Sequence, residues 1–119
     1  MRVLLVEDEA MNAELFVAAL AADGHEIIVE SDGLDGYARA GSGLFDLIVL
    51  DMNLPGMSGS EICRSLRADG TRTPIVALSA SVMPNELEAG RRAGFDAYLT
   101  KPIAPAALRD AIRRYAKPA

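Results

Sequence analysis

Five polar side chains follow apolar runs of the sequence, and they are the types that phosphoryl transfer needs. Glu7 and Asp8 come after the first run, Asp51 after the third, Ser79 after the fourth and Lys101 shortly after the fifth. If the runs are parallel strands of one sheet, these side chains meet at the edge where open α/β sheets bind ligands. Three neighbouring carboxylates raise one another's pKa unless a cation lies among them, and an all-oxygen set favours Mg²⁺. A carboxylate nucleophile beside Mg²⁺ and an ammonium group suits phosphoryl transfer, with the serine hydroxyl donating to a phosphoryl oxygen.

The runs that must position these side chains alternate with helix-like stretches. Strands that alternate with helices indicate βα units and a parallel sheet. The first, third and fourth runs are uniformly apolar, as central parallel strands are, whereas charged residues flank the other two. The pattern predicts an α/β fold, a flavodoxin-like doubly wound (βα)5 sandwich with a five-stranded parallel sheet in order 2-1-3-4-5. The expected strands are Val3–Val6, Ile27–Val29, Leu47–Leu50, Ile75–Leu78 and Ala97–Leu99.

Capping residues delimit five helices. The first, Ala10–Ala22, should end at Gly24, which suits a left-handed cap, and the neighbouring His25 should be solvated. The third opens with Ser58-Gly59-Ser60-Glu61, which has the spacing of a capping box. The fourth has a thin apolar face, because Leu87 is its only large aliphatic residue. The remaining boundaries are expected at Leu34–Ala40, from Pro84 to Ala93, and from Pro105 onwards.

Length and composition exclude several classes of protein. A chain of 119 residues fits one domain, which we assign to residues 1–119. Twelve basic and seventeen acidic residues give a net charge of −5, which argues against direct binding of nucleic acid. No apolar run approaches the ~18 residues of a membrane span, and the first strand begins too early to leave room for a signal peptide. The single cysteine, Cys63, is expected to be a small buried residue of a helix. These features predict a cytoplasmic domain without a membrane partner.

Several stretches resemble the receiver domain of two-component response regulators. They occur in the order and spacing of that family across the whole chain, and they are Val3–Asp8, Asp51 with Pro55-Gly56-Met57-Ser58-Gly59, Leu78-Ser79-Ala80 and Lys101-Pro102. The resemblance implies that Asp51 is the phosphoacceptor. It also implies that Mg²⁺ is held by the side chains of Glu7, Asp8 and Asp51 together with the main-chain carbonyl of Asn53.

The same resemblance assigns switch residues around the acceptor. Ser79 matches the family's switch hydroxyl, Tyr98 the switch aromatic residue and Lys101 the lysine that pairs with the phosphoryl group. A cis peptide bond between Lys101 and Pro102 is implied, in contrast to the low general frequency of cis X-Pro bonds. Two positions vary within the family, and in this chain they are Asn53 and Ser81. We expect these two residues to tune the lifetime of the phosphoryl group.

The implied function is a phosphorylation switch rather than an enzyme, although the domain would assist its own phosphorylation and dephosphorylation. A histidine kinase or a histidine phosphotransfer protein would supply the phosphoryl group to Asp51. The surface of the fourth helix, fifth strand and fifth helix would then signal to a downstream protein effector. The protein would act as a monomer or as a phosphorylation-dependent dimer. The chain ends soon after the fifth helix, so we expect a stand-alone receiver, with a receiver excised from a hybrid histidine kinase or a longer regulator as the alternative.

Three other interpretations fit the residues less well. A phosphohydrolase of the haloacid dehalogenase type would need an aspartate where this chain has Asn53. A flavin-binding module would need a phosphate loop after the first strand, where Glu7-Asp8-Glu9 repels phosphate, and fold analogy alone is weak support. A receiver used only for docking would not require the acidic pair together with Asp51 and Lys101.

Overall fold

The computed structural model describes residues 1–80 and 83–115. Strands and helices alternate strictly along the chain, and the strands form one parallel sheet in the order β2-β1-β3-β4-β5. The predicted fold class and strand order are therefore confirmed. The elements are β1 (Arg2–Val6), α1 (Ala10–Ala22), β2 (Glu26–Glu30), α2 (Gly33–Ala40), β3 (Leu47–Asp51), α3 (Gly59–Ala68), β4 (Ile75–Ser79), α4 (Pro84–Ala93), β5 (Ala97–Thr100) and α5 (Pro105–Arg113).

Burial along the strands follows their place in the sheet. Every residue of β3 and β4 is buried, whereas β2 and β5 at the two edges are only partly covered. Alternate residues of the central strands enter two apolar clusters, because successive side chains of a strand point to opposite faces. One cluster includes residues of α1 and α5, and the other includes residues of α2, α3 and α4. The central strands therefore lie between two helical layers, and their carboxyl ends are left at one open edge.

The helix ends agree with most of the capping predictions. Gly24 has φ +83° after α1, as the left-handed cap requires. The Ser58 hydroxyl caps α3 by accepting a hydrogen bond from the Glu61 amide at 3.2 Å. Cys63 is fully buried on α3, as expected. The prediction for His25 is wrong, because the ring is partly covered and its Nε2 atom is buried with no partner among the described residues.

α4 is held firmly at its C-terminal end and weakly elsewhere. Among its described side chains only Ala93 is buried, and Leu87 is 36% exposed. At the C-terminal end, the Arg67 guanidinium of α3 donates to the carbonyl of Gly94 at 3.1 Å and to those of Thr71 and Thr73 at 2.9 Å. This arginine therefore joins the end of α4 to the loop that precedes β4. No helix within the described ranges combines the length and the hydropathy that crossing a membrane requires.

Candidate functional site

Three carboxylates meet at the carboxyl edge of the sheet. Asp51 ends β3, and Glu7 and Asp8 follow the neighbouring parallel strand β1. One oxygen from each lies within 4.8 Å of the others. Glu7 is 1% and Asp51 3% exposed, whereas Asp8 faces solvent. Two buried negative groups and one accessible group therefore share a small space that opens to solvent on one side.

Lys101 supplies the positive charge of this cluster. Its Nζ atom lies 2.6 Å from Asp51 Oδ2 and 3.1 and 3.3 Å from the two oxygens of Glu7. The lysine follows β5, which pairs with β4 rather than with β3, so its long side chain must extend across the sheet edge to reach Asp51. The peptide bond between Lys101 and Pro102 is cis.

Burial and hydrogen bonding shift the pKa values of the two buried carboxylates in opposite directions. Burial, reinforced by the neighbouring Asp51, raises the pKa of Glu7 to about 7. Burial also acts to raise the pKa of Asp51, but hydrogen bonds with Glu7 and Lys101 outweigh it and hold that pKa below the usual value. The pKa of Lys101 is raised: burial opposes the charged form, but the bonds to Asp51 and Glu7 prevail. Near neutral pH, Asp51 is therefore ionised.

The donor set fits Mg²⁺. All three groups offer carboxylate oxygens, the ligands that hard divalent cations prefer, and Mg²⁺ sites commonly use one or two carboxylates and keep several waters. Solvent access beside Asp8 leaves space for such waters. Burial and the neighbouring Asp51 raise the pKa of Glu7 by more than Asn12 and the ammonium group of Lys101 lower it. A divalent cation would supply the missing positive charge.

The loop after β3 is packed closely against Asp51. The main-chain N–H of Asn53 donates to Asp51 Oδ1 at 3.0 Å, which fixes the orientation of that carboxylate. Gly59, at the start of α3, is so close to β3 that a Cβ atom built there would lie 2.5 Å from the Asp51 carbonyl oxygen. Only glycine allows this approach, which brings the N-terminal end of α3 against the end of β3. The glycine that follows Ser58 thus helps to shape the site.

Ser79 and Tyr98 line one cavity beside the loop that follows Asp51. The cavity has a volume of about 340 Å³, and Met52, Asn53, Ser60, Ala80 and Ala89 complete its lining. Ser79 is buried at the end of β4, and Tyr98 of β5 packs edge-on against Phe95, with ring centroids 6.4 Å apart. Ser81, which we expected to tune the phosphoryl lifetime, lies outside the described residues.

One polar contact at the site was not foreseen from the sequence. Asn12, in the first turn of α1, donates to Glu7 Oε1 at 3.0 Å and to Glu9 Oε2 at 3.3 Å. The signal in the sequence was an asparagine inside a helix rich in alanine and leucine. Asparagine is a poor helix former, so it lowers the stability of the helix, and a specific contact can offset that loss.

Comparison with known sequences identifies relatives over most of the chain. The sequence model of the response regulator receiver domain matches residues 3–113. Sensor histidine kinase AruS of Pseudomonas aeruginosa is 40% identical over 116 residues, which are 94% of this chain and 12% of that protein. Transcriptional regulatory protein TcrA of Mycobacterium tuberculosis is 39% identical over 102 residues, covering 86% of this chain and 40% of that protein. The chain thus spans less than half the length of these relatives.

Solved structures give the same result for the fold. The receiver domain of Francisella response regulator 1452 superposes with a TM-score of 0.91 at 26% identity, covering 96% of this chain and 94% of that one. The receiver domain of sensor histidine kinase PA1611 from Pseudomonas aeruginosa superposes with a TM-score of 0.86 at 33% identity, covering 96% of this chain and 95% of that one. That structure has a magnesium ion coordinated in its active site cleft. The chain therefore belongs to the family of response regulator receiver domains, regulatory domains that act as phosphoacceptors in two-component signalling.

Proposed function

We propose that Asp51 is the residue that accepts the phosphoryl group, from a phosphohistidine of a histidine kinase or of a phosphotransfer protein. The observation that carries this proposal is the ion pair of 2.6 Å between Asp51 and Lys101 at the open sheet edge. It keeps one buried carboxylate ionised, and therefore nucleophilic, next to a cation that can neutralise an incoming phosphoryl group.

In the transfer, an oxygen of the Asp51 carboxylate forms a bond to phosphorus while the bond between phosphorus and the donor's imidazole nitrogen breaks. The released nitrogen takes up a proton, and the acceptor becomes an acyl phosphate. Lys101 leaves the Asp51 oxygen and pairs with the phosphoryl oxygens. Glu7, Asp8, Asp51 and the main-chain carbonyl of Asn53 would hold Mg²⁺, which would supply further positive charge to the site.

The response to phosphorylation would start at Ser79. The new group brings up to about −2 charge and strong acceptor oxygens, and the nearby hydroxyl would move to donate to one of them. The cavity shared by Ser79 and Tyr98 gives the aromatic ring a space into which it can turn. α4 covers this cavity through Ala89 and has few buried side chains, so its packing can change at low cost. The surface of α4, β5 and α5 would then have two packings with different affinities for a protein effector.

α1 offers a surface on which the donor can dock. Most residues of the helix are apolar, and Met11 and Leu15 are 70% and 51% exposed. A groove along α1 that starts at Glu7 and Asp8 is lined mainly by apolar groups, among them Val17. An exposed apolar surface that adjoins the acceptor suits a helical partner that carries the phosphohistidine.

The wider setting of the domain is part of the same proposal. The match to parts of hybrid kinases and regulators keeps open both a stand-alone receiver and a module of a longer protein. We expect Asn53 and Ser81 to set the phosphoryl lifetime, and phosphorylation to favour either a monomer with altered affinity or a dimer. The expected compartment is the cytoplasm, where ATP charges histidine kinases. The net charge of −5 argues against direct contact with nucleic acid.

Intact mass spectrometry after incubation with acetyl phosphate tests the acceptor. The wild type should gain the mass of one phosphoryl group only when Mg²⁺ is present, and Asp51→Asn should gain none. Labelling of Asp51→Asn to the same extent would place the acceptor elsewhere. Lys101→Ala should still be labelled with Mg²⁺, but the amide resonances of α4 should no longer shift on labelling. An unchanged shift in that variant would contradict the role given to the lysine.

A further inference from the structure

Asn12 is the polar residue of α1 that faces the site rather than solvent. Its amide nitrogen carries two hydrogens, and the structure has an acceptor for each, Glu7 Oε1 at 3.0 Å and Glu9 Oε2 at 3.3 Å. The amide therefore bridges two carboxylates of like charge that lie on either side of Asp8 in the sequence. An alanine would serve the helix better, so this contact accounts for the presence of an asparagine.

Among the described residues, the side chains of Asn12 and Lys101 donate hydrogen bonds to the Glu7 carboxylate. Both bind Oε1, so the glutamate is held between an amide on α1 and an ammonium group from the far side of the sheet edge. In the proposed function Lys101 moves to the phosphoryl oxygens during the transfer. Of the two donors, Asn12 is then the one that stays on Glu7.

Glu7 needs such support because it is a glutamate. Its side chain has one more rotatable bond than that of an aspartate, so fixing its carboxylate in one place costs more conformational entropy. Side chains that hydrogen-bond to a metal ligand orient it, and losing them typically lowers metal affinity by about 10–100-fold. We propose that Asn12 is a positioning residue, which holds the Glu7 carboxylate in place for Mg²⁺ both before the transfer and after Lys101 has moved to the phosphoryl oxygens. This inference rests on the proposed Mg²⁺-dependent function.

The test is the dissociation constant of Mg²⁺ for the unphosphorylated protein, measured by isothermal titration calorimetry. Asn12→Ala should weaken binding about tenfold or more. Alanine is the best helix former, so α1 keeps its structure, which circular dichroism would verify. Glu9→Gln is the matched control: it keeps an acceptor for the second hydrogen of Asn12, and it should change the constant less than threefold.

A double-mutant cycle shows whether the effect passes through Glu7. Glu7→Asp shortens the side chain by one methylene and takes its carboxylate away from the Asn12 amide. In that background Asn12→Ala should change Mg²⁺ affinity less than twofold. If Asn12→Ala alone leaves affinity within twofold of wild type, or acts equally in both backgrounds, the role of Asn12 is refuted while the proposed function stands. If the wild type binds no Mg²⁺, both proposals fail.

Discussion

Replacement of Glu7 by glutamine should remove a pH dependence of stability from the metal-free protein. Glutamine keeps an oxygen that can accept from Asn12 and Lys101. Its amide can also donate towards Asp51, as the protonated acid does. The variant Glu7→Gln therefore resembles the protonated form of the wild type at every pH. In the wild type, by contrast, deprotonation of Glu7, which is only 1% exposed, leaves a second buried negative charge beside Asp51.

The size of the effect follows from the pKa of Glu7. Folding raises it from 4.5 to about 7, so the folded state binds this proton more tightly than the unfolded chain does. The resulting stabilisation is complete below pH 4.5 and is lost as the pH rises through about 7. A shift of this size corresponds to about 3 kcal/mol, because one pKa unit is worth ~1.4 kcal/mol. The lowered pKa of Asp51 acts in a separate range, below its ordinary value of 3.8.

Urea unfolding followed by circular dichroism, in EDTA between pH 5 and pH 8, measures this difference. The two proteins should have similar stability at pH 5, and Glu7→Gln should be more stable by up to about 3 kcal/mol at pH 8. The pKa of His25 is lowered mainly by burial, so this residue makes both proteins more stable as the pH rises. Its contribution is the same in both proteins and cancels in the comparison. Adding Mg²⁺ should restore the stability of the wild type at pH 8 more than that of the variant. Parallel stability curves across this range would refute the reasoning.

Two further predictions concern Gly90 in α4 and Gly94 directly after it, where a side chain would collide with a neighbouring residue. Gly94 has φ +108°, and a Cβ atom there would lie 2.7 Å from Arg67 Cγ. In urea unfolding, Gly94→Ala should cost more than the roughly 1–2 kcal/mol of a left-handed alanine. The control Gly43→Ala, at φ +77° with open space around it, should cost only that amount, and equal losses would contradict the contact with arginine. Gly90→Ala would place a methyl group 2.8 Å from the Tyr98 ring and displace it, so the NMR signals of that ring should shift; unchanged signals would exclude the contact.

The sheet and the convergence of its polar ends could be predicted because they depend on local patterns. The run Leu47–Leu50 has no polar residue, which is typical of a strand covered on both faces, and Asp51 directly follows it. Parallel strands then bring Glu7, Asp8 and Asp51 to one edge irrespective of the details of packing. The strands extend one residue or so beyond the apolar runs, since hydrogen bonding continues past the point where burial of apolar groups ends.

Several individual side-chain contacts could not be predicted. Asn12 reads as a weak interruption of a helix until the position of Glu7 is known. Arg67 reads as a solvated residue at a helix end, yet its guanidinium bonds carbonyls up to 27 residues away. His25 stands beside a glycine turn, which suggests exposure, but the covering of its ring depends on how distant parts of the chain pack. In each case the contact depends on how the chain packs around the residue, which the residue's own helix or turn pattern does not indicate.

Because Arg67 joins the Gly94 end of α4 to the loop before β4, a tilt of this helix would have its pivot at that end. Ten residues of α-helix span about 15 Å, so a tilt of about 10° around the Gly94 end would displace the Pro84 end by about 2.5 Å. The start of β5 beside the pivot would hardly move. Rearrangements near Ser79 would therefore displace the N-terminal end of the helix more than its C-terminal end. A partner that contacts the first turns of α4 would sense far more of the signal than one that contacts its last turn.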